Sequence, residues 1–325
     1  MVRWGILGTG GIARVFADSL SRADSATLAG VASRDGDRAA AFVAPYPGAE
    51  AFGTYDDLLA SPSIDVVYVA TPQHRHADDA LAVIGSGKHA LIEKPLVLDS
   101  VSARAIDTAA RDAGVIALEG MWTLFNPLVG RALDEVSSGR LGALTSFSAN
   151  TGPIGVPAGH RALTAELGAS LLWECLVYPV AVLTAIAPEF ATPNHIHAVS
   201  LMREKDFDFA SAVLLATGTA FAQFGGAFSE GAGAAASSRV QLGFENGWME
   251  LTEIYNPSTL RIGWSDGRVE EHVADSDAVA FGYEIDAVSR AVSGVEALRD
   301  RVRLAQTIRN IVLLEAIRAE ALRLS

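Results

Sequence analysis

Over the first 120 residues, short β-branched runs alternate with amphipathic or alanine-rich segments, the βαβ rhythm of a parallel sheet covered on both faces. Strands are expected at residues 2–7, 27–32, 66–70, 89–93 and 115–118, with helices at 12–20, 37–42, 55–60, 77–85 and 100–112 between them. Thr54 stands three residues before Asp57, and Asp99 precedes a run that stops at Gly114, so helix starts and a helix stop are marked by residue type. Past Trp122 the rhythm changes. A helix at 127–138 and a long apolar one at 168–187 lead into strands at 195–201, 207–215, 219–228, 239–244, 248–251, 260–264 and 269–273. Turn-like joints such as Glu245-Asn246-Gly247 and Ser265-Asp266-Gly267 indicate antiparallel hairpins or a meander. Helices at 284–293 and 298–324 close the chain, and 231–238 reads as a flexible loop.

This pattern predicts an α/β protein with an N-terminal parallel Rossmann sheet and a C-terminal α+β domain carrying a large, mostly antiparallel, open-faced sheet. The division falls at 1–121 and 122–325, with the closing helices free to pack back on the first domain. Composition adjusts the picture in three places. Half of the 325 residues, 50%, are hydrophobic, which calls for more than one core or for a covered apolar face. The segment 168–187 would pass for a membrane span but carries Glu174, Tyr178 and Pro179, so it is expected as a buried helix in a soluble protein. A formal charge of −13 excludes nucleic acid and acidic membranes as partners, and the single cysteine, Cys175, excludes a disulfide framework and fits a cytoplasmic home.

Candidate chemistry begins at Gly8-Thr9-Gly10-Gly11-Ile12-Ala13, which follows a strand and opens a helix in the G-x-G-x-x-A form of the dinucleotide fingerprint. Gly8 permits the tight turn, Gly10 brings backbone amides to a pyrophosphate, and Ala13 lets the helix approach the strand. The next strand ends Ala32-Ser33-Arg34. Ser33 and Arg34 are matched to a 2′-phosphate, so NADP is expected, with NAD second because Asp35 stands next door. Two more segments, Ala70-Thr71-Pro72-Gln73-His74-Arg75-His76 and Glu93-Lys94-Pro95, fall at the carboxyl ends of parallel strands, where such sheets bind ligands. The His-x-His pairs at His74/His76 and His195/His197 lack a third ligand, so no metal is expected.

In this order, the glycine loop, the Ala-Thr-Pro-x-x-x-His loop and the Glu-Lys-Pro turn resemble the Gfo/Idh/MocA oxidoreductases. The resemblance continues through Met121-Trp122, Phe125-Asn126-Pro127, His160-Arg161 and Val177-Tyr178-Pro179. It is similar most of all to the branch holding the dimeric dihydrodiol and NADP-dependent xylose dehydrogenases. The resemblance implies an NADP-dependent dehydrogenase or reductase acting on the CH–OH group of a sugar, polyol or cyclic diol. Tyr178 is then the acid/base, Lys94 its electrostatic partner, and Glu174 orients the pair. Ala70, Thr71, Pro72, His76, Glu93, Lys94 and Trp122 join the cofactor pocket, while Trp122, His160, Arg161, Glu174 and Tyr178 join the substrate pocket. Where this family usually has Asp, Gly and Arg, the chain has Glu174, Leu176 and Leu124, which makes the expected substrate pocket more apolar. Two rivals remain on sequence: a cofactor-binding sensor that has lost catalysis, and an NAD-dependent glycosidase-type elimination enzyme. The family's open sheet also implies a homodimer or dimer of dimers, to which Phe207, Phe209, Phe221 and Phe224 would contribute.

Overall fold

Alternating apolar runs and capped helices fold as the period predicts. A computed structural model describes residues 1–156, 170–204, 207–230, 238–274 and 281–324. The chain forms two compact units, Met1–Trp122 with Asp277–Ile308, and Thr123–Ser276 with Arg309–Ser325. Residues 277–308, whose placement the sequence leaves open, thus count with the first unit.

In the first unit, strands β1 (Val2–Leu7), β2 (Ala26–Ala32), β3 (Glu50–Phe52), β4 (Val66–Val69), β5 (His89–Glu93) and β6 (Ala117–Gly120) form one sheet in the order β3-β2-β1-β4-β5-β6. Every pairing is parallel, and the order is that of a doubly wound dinucleotide fold. The crossovers are helices α1 (Gly11–Leu20), α2 (Gly36–Val43), α3 (Tyr55–Ala60), α4 (His76–Gly85) and α5 (Ser100–Ala113). Their starts follow side-chain chemistry: Asp35, Thr54 and Asp99 each accept first-turn amides, and Gly114 ends α5 in the left-handed region at φ 67°. β3 escapes the sequence pattern because a strand of 3 residues is too short to show a period. The core is aromatic. Phe16 stacks on Tyr68 with centroids 3.8 Å apart and meets Trp4 at 5.5 Å and Phe281 at 5.4 Å. Side chains of this size contribute roughly 1.5 to 3 kcal/mol each when buried.

The second unit continues with α6 (Trp122–Phe125, whose Trp122 counts with the first unit), α7 (Pro127–Ser137), strand β7 (Leu144–Val156), a π-turn at Leu172–Leu176 and α8 (Val177–Ile186). Strands β8 (His195–Glu204), β9 (Phe207–Ala216), β10 (Phe221–Glu230), β11 (Arg239–Phe244), β12 (Gly247–Thr252), β13 (Thr259–Trp264) and β14 (Val269–Val273) follow, and the eight form a sheet in the order β14-β13-β12-β11-β7-β10-β9-β8. The expected antiparallel hairpins form, running through β8, β9 and β10 and through β11, β12, β13 and β14. The interior strand β7 was not foreseen, and it pairs parallel with β10 while every other pairing is antiparallel. Helix α9 (Gly282–Val292) belongs to the first unit, where Trp4 Nε1 donates to Ser289 Oγ at 3.1 Å; α10 (Leu304–Leu324) begins later than expected, after a 3-10 turn at Asp300–Val302.

The sheet of the second unit has one covered and one open face. Val213 and Leu215 are buried, whereas Val199, Leu201, Leu214 and Phe221 are exposed beside a shallow concavity of about 630 Å³. Of the phenylalanines expected on the open face only Phe221 is exposed; Phe207 and Phe224 are core residues, and Phe207 stacks on Phe228. Segment 177–183 is wholly buried, and among the described residues no helix is long and apolar enough to cross a membrane.

Candidate active site

The first unit builds an anion cradle at the start of α1. Gly8 takes φ 107°, and a Cβ there would lie 2.8 Å from the Ala70 carbonyl oxygen, so the close approach of two strand ends admits no side chain. A Cβ on Gly10 or Gly11 would instead meet nothing within 4 Å. Gly10 is the N-cap of α1 and gives no side-chain hydrogen bond, and the first turn holds no acidic residue. Among the described residues the amides at this helix end therefore have no side-chain acceptor, the arrangement that receives a phosphate. Thr9 and Ile12 flank the turn half-buried, and Ala13 is fully buried as close packing requires. Beside it, Ser33 is buried and its Oγ accepts the Asp35 amide at 3.3 Å. Arg34 is exposed and, among the described residues, forms no ion pair. Asp35 is committed elsewhere: its carboxylate accepts the amides of Asp37 at 3.0 Å and Arg38 at 3.3 Å.

At the ends of β4, β5 and β6 the same unit gathers the Thr-Pro loop and the Glu-Lys-Pro turn. His76 is 1% exposed, with Nε2 2.9 Å from the Thr71 carbonyl and Nδ1 2.9 Å from the Pro95 carbonyl. Burial lowers its pKa. It ties the Thr-Pro loop to the Glu-Lys-Pro turn. Pro72 is exposed, and Ala70 continues the sheet by donating to the Leu7 carbonyl at 2.9 Å. Glu93 is buried and accepts the Tyr68 hydroxyl at 3.0 Å. Lys94 is half-buried, and the Lys94–Pro95 peptide bond is cis.

Two acids that sequence reading missed stand near this turn. Glu119 accepts the Leu96 amide at 2.9 Å; burial pushes its carboxyl up while that amide, Thr307 and the Lys94 ammonium pull it down. Glu284, 1% exposed on α9, has among the described residues no hydrogen-bond partner for either oxygen, and burial followed by the Glu93 charge raises its pKa well above 4.5. On a short amphipathic helix Glu284 reads as an ordinary surface charge, so no signal marks it. Thr71 Oγ1 and Trp122 Nε1 are likewise buried without a partner among the described residues, with the Trp122 ring 4.8 Å from Phe281. Bare amides at α1 and these two orphaned polar atoms fit a dinucleotide whose nicotinamide end reaches the strand ends.

The second unit carries Glu174, 7% exposed, and Tyr178, 6% exposed. They do not share the regular α-helical spacing that sequence reading assumes. Glu174 lies in the π-turn, where the Val177 amide reaches back to the Leu172 carbonyl. Pro179 supplies no amide for the Cys175 carbonyl, so the wider turn falls where a regular helix would be broken. Tyr178 packs edge-on against Tyr255, with centroids 4.8 Å apart and planes at 90°. The Tyr255 hydroxyl donates to the Thr151 carbonyl at 3.3 Å, and burial pushes its pKa up. Thr123 Oγ1 donates to the carbonyls of Ile254 and Tyr255, and Asn126 Nδ2 to Asn256 Oδ1 at 3.0 Å, so the Tyr255 loop is fastened to the Thr-Leu-Phe-Asn segment. Sequence reading missed Tyr255, whose loop shows only an Asn-Pro turn signal. Leu124 and Leu176 are 3% and 0% exposed. His160, Arg161 and the loop at 231–237 lie outside the described residues. Among the described residues no group of three or more His, Cys, Asp or Glu side chains is placed to hold a metal.

Residues 2–121 match the model of the Gfo/Idh/MocA oxidoreductase family with an NAD-binding Rossmann fold. The trans-1,2-dihydrobenzene-1,2-diol dehydrogenase of Xenopus laevis is 31% identical over 217 residues, 66% of this chain and 64% of that protein. The scyllo-inositol 2-dehydrogenase (NADP(+)) of Bacillus subtilis is 25% identical over 294 residues, 88% of this chain and 87% of that one. The chain spans 60% and 64% of the length of the first curated relatives it matches. A 3-ketoreductase from Actinomadura kijaniata, solved with NADP and TDP-benzene, superposes with a TM-score of 0.84 at 26% identity, covering 98% of this chain and 97% of that one.

Proposed function

Because residues 2–121 match the model of the Gfo/Idh/MocA oxidoreductases, we propose that the chain is an NADP-dependent dehydrogenase or reductase of a secondary alcohol or hemiacetal carbon in a sugar, polyol or cyclic diol. One observation carries the reading: the uncapped start of α1 and the Glu-Lys-Pro turn stand on one parallel sheet, at the carboxyl ends of β1 and β5. NADP, when bound, supplies or accepts the hydride. Gly8, Thr9, Gly10, Gly11 and Ile12 hold its pyrophosphate on backbone amides. Ser33 and Arg34 take the 2′-phosphate; in support, Asp35 spends its carboxylate on capping α2 and is not presented to a ribose hydroxyl. Thr71 Oγ1 and Trp122 Nε1 hold the nicotinamide end.

Oxidation of an alcohol carbon requires its hydroxyl proton to leave. Tyr178 takes that proton and returns it in the reverse direction. The Lys94 ammonium stabilises the negative charge developing on the oxygen, and Glu174 orients the tyrosine from the preceding π-turn. Val199, Leu201, Leu214 and Phe221 on the open sheet face form a homodimer contact in a reducing, cytoplasmic setting. Nicotinamide absorbance over pentoses, hexoses, inositols and dihydrodiols, with NADP and NAD in parallel, tests the reading. Turnover with NADP preferred is expected, and Lys94→Ala or Tyr178→Phe should each lower it by about 100-fold or more. Turnover within a few-fold of the parent in either variant would remove that residue's role. Silence across the panel despite NADPH binding would favour a sensor.

A further inference from the structure

We propose that Asp208 positions Tyr178, by pinning the start of its helix to the sheet. The inference rests on the reading of Tyr178 as the acid/base. Helices leave their first amides unsatisfied, and a Ser or Asp just before the first turn ordinarily answers them. Ser170 does part of this: its Oγ accepts the Trp173 amide at 3.2 Å and its carbonyl accepts the Glu174 amide at 2.9 Å. The Leu172 amide goes elsewhere. It donates to Asp208 Oδ2 at 2.9 Å, across 36 positions of sequence, on strand β9.

A cap from the helix's own chain travels with the helix, whereas a cap from a strand fixes the helix to that strand. Asp208 is built for this. Opposite Leu201 stands Ala210 and opposite Met202 stands Asp208, so Phe209 is an extra residue and the strand bulges. The bulge turns two successive residues, Phe207 and Asp208, into the interior, which a regular strand with its alternating faces does not do. Ser211 Oγ donates to the same carboxylate at 3.0 Å, and Ser200 Oγ lies 2.8 Å from Ser211 Oγ, so the anchor is itself held by β8 and β9. Burial raises the Asp208 carboxyl while Ser170, Leu172 and Ser211 pull it down. From the pinned amide a wholly buried segment runs through the π-turn to Tyr178, so rotation or slip at Leu172 is carried to the hydroxyl.

The experiment compares Asp208→Ala and Asp208→Asn with the parent in three measurements: turnover on the substrate found by the panel, NADPH affinity by fluorescence, and amide exchange at Leu172. Asp208→Ala is expected to lower kcat on the order of 100-fold, since misplacement of a catalytic group by an ångström costs that much, and Asp208→Asn about tenfold. NADPH affinity should stay within about twofold, and Leu172 exchange should rise at least about tenfold. The kcat loss should vanish when Tyr178→Phe is already present, because a positioning residue has nothing left to position. Turnover within twofold of the parent, an equal loss in the Tyr178→Phe background, or unchanged Leu172 exchange would each overturn the proposal. If Asp208→Ala fails to fold, Asp208→Asn carries the same comparisons. A parent protein silent on every substrate defeats the functional reading alone, and the exchange measurement still decides whether Asp208 holds the helix.

Discussion

Two helix starts in this molecule are treated in opposite ways. At α1 the first-turn amides meet no side chain and no acidic residue, and the N-cap is a glycine with open space where its Cβ would be. At the helix carrying Glu174 and Tyr178, the Leu172, Trp173 and Glu174 amides are all answered by Asp208 and Ser170. A helix end left bare costs stability that a ligand restores on binding, so it is a binding device. A helix end answered from a neighbouring strand fixes a side chain in place, so it is a positioning device. The carboxyls repeat the contrast: Asp208 is buried with donors, and Glu284 is buried with none.

The largest expected effect comes from making the bare end resemble the answered one. Gly10 has φ −77° and ψ 176°, an extended conformation open to any residue, and its Cβ would meet nothing within 4 Å. Gly10→Asp should therefore fold, and its carboxylate should cap α1 and raise the melting temperature slightly. The same carboxylate stands where the pyrophosphate belongs. NADPH affinity, read by fluorescence titration, should fall by about 100-fold through lost amide donors and like-charge repulsion. Unchanged affinity would mean that the start of α1 is not the phosphate site.

How far the sequence foretold this contrast depends on where the partners lie. The glycine loop, β5 and the Thr54 and Asp99 caps are local patterns, read within a few residues of one another, and the structure places them where the pattern does. β7 was invisible because its partners, β10 and β11, are distant in sequence, and because Gly152 and Pro153 break its alternation where the register against β10 shifts. Asp208 was invisible for a related reason. Only the bulge against β8 turns it inward, and a register shift leaves no mark on local composition. The pairing of Glu174 with Tyr178 was foreseen on an α-helical turn, but the turn that forms is a π-turn.

The unanswered carboxyl gives the next test. Glu284 has its folded pKa raised by burial, then by the Glu93 charge. Above its ordinary value of 4.5 the unfolded chain releases this proton while the folded protein keeps it. Stability from this group is therefore lost as pH rises from that value towards the folded pKa, at up to about 1.4 kcal/mol per pH unit. Glu284→Gln keeps the shape and removes the titration. Its melting temperature should match the parent near pH 4.5 and exceed it at higher pH, by a margin that grows until the folded carboxyl ionises. Parallel curves for the two proteins would show that the carboxyl is ionised, and hence partnered, in the folded state.

The smallest effect inverts the first. Thr54 caps α3 in the conventional way: its Oγ1 accepts the Asp57 amide at 3.1 Å and donates to the Asp57 carboxylate at 2.6 Å, on an exposed surface. Thr54→Ala removes an answered end and should cost about 1 kcal/mol, seen as a lower denaturant midpoint with an unchanged slope. NADPH affinity should not move, since α3 already carries Asp56 and Asp57 in its first turn, which repel an anion. The two substitutions then separate the quantities that a helix start can serve. Adding a cap at α1 trades affinity for stability, and removing one at α3 loses stability alone. A shift in NADPH affinity of more than about twofold in Thr54→Ala would show that the two ends are not independent.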